Sequence, residues 1–310
     1  MNTQLPTTTR AAVVRTPGPE AVVEVVDVPL AAPAEGQVVV RVAAATINPV
    51  DVAVVSGFWH SVGAISQPEH TGIGWDVAGT VVAVGAGVTD LAVGDRVAGL
   101  HGGVDHPVGT IAEHVTLAAS DVARVPDGLA LTEAATLPLN TLTAAQLLDL
   151  LGEPTPGATL LVTGAAGAVG GHALRLAAAR GWAVTGLARP SDRAYVEAAG
   201  AAFVDALPEA PAFDAVADTA VLAEAAVAAV VDGGLYAGVI PLAVPAGERG
   251  VRTTAVMASA DDATLAHALE EAAAGRLDTR VHVTLPLAEA DKAVRTVAAG
   301  GVRGRVVVLP

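Results

Sequence analysis

The chain has 310 residues, a net charge of −15 and no cysteine; 52% of its residues are hydrophobic and 16% are charged. This composition supports about two domains with a sizeable core and argues against intrinsic disorder. The acidic balance disfavours binding to nucleic acid or to anionic lipid, and the lack of cysteine excludes disulfides, thiolate metal sites and a cysteine nucleophile.

Nothing in the sequence indicates export or insertion into a membrane. The N-terminus, MNTQLPTTTR, lacks the basic and then apolar pattern of a signal peptide. The longest apolar run lies around VLAEAAVAAVV and contains Glu224, whereas a membrane-spanning helix needs about twenty apolar residues. We therefore expect a cytoplasmic protein, and the absence of cysteine agrees with a reducing compartment.

Segment 11–126 is predicted to form short β-strands separated by turns. The strands are expected in AVVEVVDV, QVVVRVAAATI, GTVVAVG and DRVAGL, with glycines between them. The glycines of VAVGAGV precede no helix, so they predict a hairpin turn rather than a phosphate loop. Strands of this length and spacing are typical of a small barrel or sandwich.

From Thr132 onward, helices and strands alternate. A helix through AATLPLNTLTAAQLLDLL leads to the strand TLLVTG, the helix AVGGHALRLAAARG, the strand AVTGLA, the helix SDRAYVEAAG and the strands AAFVDA and FDAVADT. A helix over AVLAEAAVAAVVDGG and a strand LYAGVI follow. Such alternation predicts a parallel, doubly wound sheet whose loops gather along its carboxyl edge. After residue 258 two further helix–strand pairs are predicted, DATLAHALEEAAAG with RVHVTL and LAEADKAVRTVAAG with GRVVVLP.

The stretch TGAAGAVGG, residues 163–171, follows a predicted strand and opens a predicted helix. Backbone N–H groups at a helix N-terminus bind anions, and Gly170 would let the helix pack closely on its strand. Ala165 replaces the first glycine of the usual dinucleotide fingerprint, and no Gly-Lys-Ser/Thr follows, which excludes a P-loop. The alternative is a tight turn that binds nothing. The residues predicted to contact a diphosphate are Ala166, Gly167, Ala168 and Val169.

Arg189 indicates which dinucleotide would bind. A cofactor with a free 2′-hydroxyl favours an acidic residue about 20 positions after the glycine motif. Arg189 lies there instead, and Arg193 lies nearby. Because arginine pairs bidentately with phosphate, the sequence favours NADPH over NADH. The alternative is that Arg189 is an ordinary solvated arginine.

Four stretches together resemble the medium-chain dehydrogenase/reductase superfamily over nearly the whole chain. They are INPVDVAVVSG, GWDVAGTVVAVGAGVTDLAVGDRVAGL and LPLNTLTAAQLL with LLVTGAAGAVGGHALRLAAARG. The motif Asn48-Pro49-Val50-Asp51 resembles the zinc-free quinone oxidoreductase (zeta-crystallin-like) branch. The resemblance implies a GroES-like β-barrel domain over 1–126, a Rossmann domain with a doubly wound parallel sheet over 127–258, and a return to the first domain over 259–310.

The resemblance also implies chemistry without a metal. Asn48 and Trp75 stand where the zinc branch places a cysteine and a histidine ligand. The expected reaction is hydride transfer from NADPH to a quinone or enone. Asn48 would donate to the developing oxyanion or position the nicotinamide, Thr143 would lie beside the nicotinamide, and Asp51 would be catalytic or would hold a loop. A backbone contact with the nicotinamide amide is implied at Gly238, Val239 and Ile240.

Departures from the family pattern leave other functions open. Phe58, Trp59 and His60 follow the NPVD motif, where the family often has arginine and tyrosine, and Asp192 and Asp205 replace its usual lysine and tyrosine. The alternatives are an enoyl-thioester reductase and a non-catalytic, NADPH-binding regulatory protein. A homodimer is expected by analogy, through an edge formed by LYAGVIPLAV and VRTTAVMAS.

The remaining candidate groups are histidines and two carboxylates. The spacing of His101, Asp105, His106 and His114 matches no compact metal motif, so we expect a polar loop. His60 or His70 is a possible proton donor, because histidine titrates near neutral pH. Asp76 is expected to be structural.

Overall fold

A computed structural model describes residues 5–310 and divides the chain into two compact units. The first unit contains the described residues through Leu139 and then Ala260–Pro310; the second contains Asn140–Ser259. The boundary after Leu139 lies later in the chain than the predicted boundary after residue 126, so residues 127–139 lie in the first unit.

The strands and helices are as follows. In chain order the strands are β1 (Thr8–Val14), β2 (Val23–Pro29), β3 (Gln37–Ile47), β4 (Thr71–Gly72), β5 (Asp76–Val84), β6 (Arg96–Leu100), β7 (His114–Ala118), β8 (Val122–Arg124), β9 (Thr159–Thr163), β10 (Ala183–Leu187), β11 (Ala202–Val204), β12 (Phe213–Asp218), β13 (Val230–Gly238), β14 (Arg252–Ala255), β15 (Val281–Pro286) and β16 (Arg305–Leu309). The α-helices are α1 (Pro49–Val55), α2 (Phe58–Ser61), α3 (Leu131–Ala134), α4 (Pro138–Leu151), α5 (Ala168–Ala179), α6 (Arg193–Ala198), α7 (Glu224–Ala228), α8 (Asp262–Ala273) and α9 (Ala290–Ala298).

The first unit is organised around the valine-rich strand β3. Antiparallel β5 pairs along one edge of β3, while β7 and then β16 pair with the other edge. Val38, Val39 and Val40 are all fully buried, as expected for a central strand covered on both faces. The sheet order is β15-β16-β3-β5-β6-β8, and a separate sheet has the order β2-β1-β4. Since Val306 of β16 pairs with Ile47, the C-terminal segment completes this unit.

The second unit is a parallel sheet with the order β11-β10-β9-β12-β13-β14. The chain runs outward from β9 through β10 to β11 and then restarts at β12 in the opposite direction. This order is that of the doubly wound Rossmann fold, and its reversal point lies between β9 and β12. The predicted doubly wound parallel sheet is confirmed.

Two helix predictions were wrong in extent. The helix expected over AVLAEAAVAAVVDGG is only Glu224–Ala228, and Val230–Gly234 belongs to β13. Positive φ angles at Val221 and Ala223 prevent an earlier start, and the β-branched pair Val230–Val231 suits a strand. The helix expected before β9 is divided into α3 and α4, because Pro138 fits only the first turn of a new helix.

Within residues 5–310 no helix combines the length and the apolar character needed to cross a lipid bilayer.

Ala165, which replaces the first fingerprint glycine, packs against a second glycine. The Ala165 side chain is fully buried, and its N–H donates to the Leu187 carbonyl at 3.0 Å. A methyl group built at Gly186 would lie 2.9 Å from the Ala165 Cβ and 2.7 Å from Val196 Cγ1. The alanine is therefore accommodated because residue 186 has no side chain.

We expect Gly186→Ala to reduce the free energy of unfolding by about 1–3 kcal/mol, since the added methyl overpacks this contact. Urea denaturation measures the change, and a double-mutant cycle with Ala165→Gly should show favourable coupling. Gly102→Ala is the control, because its new Cβ would meet only Trp75, at 4.0 Å. A neutral Gly186→Ala would contradict the packing argument.

Candidate functional site

The glycine-rich stretch forms the connection from β9 to α5. Strand β9 ends at Thr163, Gly164 takes a left-handed φ of +60°, and Gly167 is the N-cap residue of α5. The Gly167 N–H donates to the Gly164 carbonyl at 2.7 Å, which closes a tight turn. Only a residue without a Cβ adopts this conformation at Gly164 at no steric cost.

Helix α5 starts in direct contact with the end of its strand. A Cβ at Gly170 would overlap the Gly164 carbonyl and would lie 2.8 Å from Thr219 Oγ1. The N–H groups of the first turn have no acceptor within the helix, and Gly167 at its start is exposed. This turn therefore presents partial positive charge on a small-residue surface, which fits a diphosphate.

Arg189 follows the adjacent strand β10 and is exposed. Within residues 5–310 its guanidinium forms no ion pair. The neighbouring Arg193 is already engaged, because it contacts Glu197 at 3.3 Å and lies 4.2 Å from the centroid of the Phe203 ring. Of the two predicted phosphate ligands, Arg189 is therefore the one whose guanidinium forms no ion pair with the described residues.

Strand register aligns the predicted cofactor residues of the second unit along one edge. Leu187, Thr163, Asp218 and Gly238 pair in sequence across β10, β9, β12 and β13. Arg189 follows the first strand of this row and the glycine turn follows the second. The row spans about 14 Å, because neighbouring strands lie about 4.8 Å apart. The predicted backbone contacts at the end of the fourth strand are Gly238, Val239 and Ile240.

Thr143, the other predicted nicotinamide neighbour, lies in α4 within the second unit and is largely buried. Asn48 and Asp51 lie in the first unit.

The sequence analysis missed Asp218, a fully buried carboxylate at the end of β12. Its Oδ1 accepts from the Thr163 hydroxyl at 2.5 Å, and its Oδ2 accepts from the Tyr236 hydroxyl at 2.9 Å and from the Ala223 N–H at 2.8 Å. Burial, together with the negative charge of Asp218, raises the pKa of Tyr236. The available signal was that two apolar strands, β9 and β12, end in polar residues, Thr163 and Asp218.

In the first unit, the NPVD motif builds the start of α1. Asn48 is the N-cap residue, and Asp51 Oδ2 accepts from the Asn48 N–H at 2.8 Å. The second oxygen, Oδ1, accepts from the Gly74 N–H at 2.8 Å. Asp51 is fully buried, and it ties the helix start to the segment that precedes β5. These contacts favour a positioning role for Asp51.

Asp76 fixes the side chain of Asn48. Its Oδ2 accepts from Asn48 Nδ2 at 2.7 Å and from the Thr46 hydroxyl at 2.6 Å, while its Oδ1 accepts from the Leu139 N–H at 2.6 Å. Burial raises the pKa of Asp76, and these hydrogen bonds and the charge of Arg305 oppose that rise. Asn48 is only 2% exposed, so its amide is held in one orientation.

The aromatic and histidine candidates of the first unit form three separate contacts. Phe58 is 43% exposed and packs edge-to-face on Trp59, with ring centroids 5.1 Å apart. His60 Nε2 lies 3.3 Å from the Thr71 hydroxyl. His101 stacks on His106 with centroids 4.0 Å apart, and burial lowers the pKa of His101 to about 4.

Hydrogen bonds hold the side chains of the predicted polar loop. Asp105 accepts from the Ser66 hydroxyl at 2.6 Å, and His106 Nε2 lies 2.9 Å from the Gly102 carbonyl oxygen. Across residues 5–310, no three histidine, aspartate or glutamate side chains are grouped so that they could hold a metal ion.

The strand order, with a glycine turn beside its reversal point, defines the class of doubly wound Rossmann proteins. Comparison with known families is more specific: residues 34–127 match the alcohol dehydrogenase GroES-like domain, and residues 194–308 match the zinc-binding dehydrogenase family. The chain belongs to the medium-chain dehydrogenase/reductase superfamily of oxidoreductases. The predicted resemblance to its quinone oxidoreductase branch and the GroES-like fold of the first domain are confirmed.

Individual relatives agree with this assignment. The chain is 36% identical to the trans-enoyl reductase thnE of Trichoderma harzianum over 216 residues. The aligned region covers 64% of this chain and 56% of that protein. The quinone oxidoreductase of Coxiella burnetii superposes with a TM-score of 0.87 at 25% identity, over 98% of this chain and 99% of the other. An alcohol dehydrogenase superfamily protein of Novosphingobium aromaticivorans gives a TM-score of 0.78 at 31% identity, over 97% and 99%.

Burial raises the pKa of Asp51 from 3.8 to about 7, against the opposing effect of its two backbone hydrogen bonds. The folded state thus holds this proton more tightly than the unfolded chain. The resulting stabilisation is fully present below about pH 4 and is lost as the pH rises to about 7. We expect urea denaturation to show a fall of on the order of 1–3 kcal/mol in the free energy of unfolding between about pH 5 and pH 8.

Asp51→Asn should remove most of that fall, whereas Asp127→Asn, at an exposed position, should leave it unchanged. An Asp51→Asn variant with the same pH dependence as the wild type would show that Asp51 does not titrate in this range.

Proposed function

We propose that the protein is an NADPH-dependent, zinc-independent oxidoreductase that transfers hydride to a quinone or enone acceptor. One observation carries the cofactor assignment: strand register places the α5 N-terminus and Arg189 at the ends of adjacent strands. The first suits a diphosphate and the second suits a 2′-phosphate one strand away.

Two relatives support the acceptor class. Their names describe a trans-enoyl reductase and a quinone oxidoreductase. Enoyl groups and quinones both contain a carbon–carbon double bond conjugated to a carbonyl. Reduction of either places negative charge on the carbonyl oxygen, so a positioned hydrogen-bond donor would accelerate it.

The bound cofactor would supply a hydride to the electrophilic carbon of the acceptor, and the balancing proton would come from solvent. In this proposal Asn48 donates from its amide to the acceptor oxygen, and Asp76 fixes the amide orientation through the 2.7 Å hydrogen bond. Asp51 holds the start of α1, on which this arrangement depends. Thr143, Gly238, Val239 and Ile240 are assigned to the nicotinamide.

The trans-enoyl reductase relative favours a second candidate, reduction of an enoyl thioester. Initial rates with a panel of quinones, enones and enoyl thioesters separate the two acceptor classes. Cofactor binding without turnover of any of them would instead identify a regulatory, NADPH-binding protein.

We further propose a cytoplasmic homodimer joined through the edge strand β14. Beside this edge lie the exposed apolar side chains of Leu242 and Met257, which are 63% and 78% exposed. An edge strand has one side without a neighbouring strand in its sheet, and when apolar residues flank it that side is suited to pairing with a second copy.

Arg189→Ala should raise the KM for NADPH by about 10-fold to 100-fold, because a charge-assisted contact with the 2′-phosphate is lost. The KM for NADH should stay unchanged. Arg124→Ala removes an exposed arginine from the first unit and serves as the control. Equal use of NADH and NADPH by the wild type would overturn the 2′-phosphate assignment.

Asn48→Ala should reduce kcat by about 100-fold, the typical effect of deleting one oxyanion donor. Calorimetry should show unchanged NADPH affinity, and thermal denaturation should confirm folding. A variant that keeps kcat would exclude Asn48 as the donor and leave it as a helix cap.

A further inference from the structure

The C-terminal segment is positively charged in an otherwise acidic chain. Residues 276–310 contain six of the 17 lysines and arginines but only three of the 32 aspartates and glutamates. Among them is Lys292, the only lysine of the sequence. Because the chain as a whole carries a net charge of −15, this segment differs in sign from the rest of the molecule and can attract an anion at short range.

A cavity of about 440 Å³ lies in this segment, within the first unit. His282 of β15 lines it, together with Lys292, Arg295 and Thr296 of α9 and the turn formed by residues 299–302. No described acidic residue lines the cavity. Its volume lies within the range of small-molecule sites, so it could hold an organic ligand as well as a bare ion.

Helix α9 places its two cationic residues on the same face. Arg295 and Thr296 follow Lys292 by three and four positions, the spacing at which helical side chains are neighbours. Ala293 and Val294, between them in the sequence, are buried in the core of the first unit. Core packing therefore fixes the helix while its charged face remains beside the cavity.

Both cations have partners that an anionic ligand could replace. Lys292 Nζ lies 2.6 Å from Glu289 Oε2, and Arg295 Nε lies 2.7 Å from Asp291 Oδ2. The side chains of Lys292 and Arg295 are nevertheless 66% and 62% exposed. Exposed ion pairs between residues three or four positions apart contribute little to stability, so exchanging these partners for a ligand costs little.

The turn after α9 adds backbone donors to the cavity wall. Gly300 and Gly301 have φ angles of +70° and +74°, a backbone conformation that favours glycine. The Gly300 N–H donates to the Val297 carbonyl at 3.0 Å, whereas the N–H groups of Gly301 and Val302 have no acceptor among the described residues. Successive N–H groups in turns of this kind form concavities that bind anions.

We propose that this cavity binds the phosphate group of a small organic phosphate. Lys292 supplies a compact charge and Arg295 a planar set of donors, which together match a dianion. Ala299 and Val302 supply apolar wall for the organic part of the ligand. None of the lining residues is assigned above to the cofactor or to the acceptor, so this inference does not rest on the proposed function.

Pyridoxal 5′-phosphate tests the proposal, because its aldehyde condenses with a lysine amine and Lys292 is the only lysine. Borohydride reduces the resulting imine to a stable secondary amine, which peptide mass spectrometry locates at Lys292. Labelling of Nα-acetyl-lysine in the same mixture corrects for the intrinsic reactivity of each aldehyde. The corrected labelling should be about tenfold greater with pyridoxal 5′-phosphate than with pyridoxal, which has no phosphate.

A competition and a pair of variants locate the preference. Pyrophosphate should protect Lys292, whereas succinate at equal ionic strength should not. Arg295→Gln should lower the preference for pyridoxal 5′-phosphate by about fivefold, since it removes one charge and keeps most of the side chain. Arg276→Gln is the matched control, because it removes an exposed arginine of the same segment that does not line the cavity. Thermal denaturation should show that both variants are folded.

Equal corrected labelling by the two aldehydes would overturn the proposal, as would an unchanged preference in Arg295→Gln. Equal protection by succinate and pyrophosphate would also overturn it, because the cavity would then not select phosphate. An equal loss in Arg276→Gln would show that the charge of the whole segment, and not the cavity, attracts the probe. Since the label is read at Lys292 alone, these outcomes are independent of the assignments of Arg189 and Asn48.

Discussion

The close approach of α5 to the end of β9 is the constraint on which the second unit depends. Any side chain at Gly170 would collide with the Gly164 carbonyl, so the helix starts at the sheet edge only because that position is bare. This contact directs the first-turn N–H groups at the carboxyl edge, where the ends of the neighbouring strands also lie. The same logic explains Ala165: its methyl group is accommodated because Gly186, on β10, has none.

Each unit relies on one fully buried carboxylate at a strand end. Asp76 begins β5 and Asp218 ends β12, and each accepts hydrogen bonds from three donors. An unpaired buried carboxylate would be strongly destabilising, whereas a fully hydrogen-bonded one fixes the groups around it. Asp76 fixes the Asn48 amide, and Asp218 fixes the turn at residues 219–223 that follows β12.

A net charge of −15 is compatible with the anionic cofactor that we propose. At physiological ionic strength surface charges are screened beyond about 8 Å, so the groups nearest the ligand dominate. At the cofactor site that we propose, those groups are the backbone N–H dipoles at the α5 N-terminus and the guanidinium of Arg189, which forms no ion pair within residues 5–310. Local geometry, rather than overall charge, determines what this edge can bind.

The sequence by itself determined the parallel, doubly wound sheet, the glycine turn and the position of Arg189 at the end of the next strand. Apolar periodicity and glycine spacing are local properties of the chain, so they can be read without the tertiary structure. It overextended the helix after β12, since alanine-rich composition favours a helix and the left-handed turn at Val221 and Ala223 has no glycine to mark it. Only the tertiary structure decided that Asp218 holds this turn and that Asp76 holds Asn48. The Asn48–Asp76 and Thr163–Asp218 hydrogen bonds join residues 28 and 55 positions apart, and no local pattern encodes which buried carboxylate meets which donor.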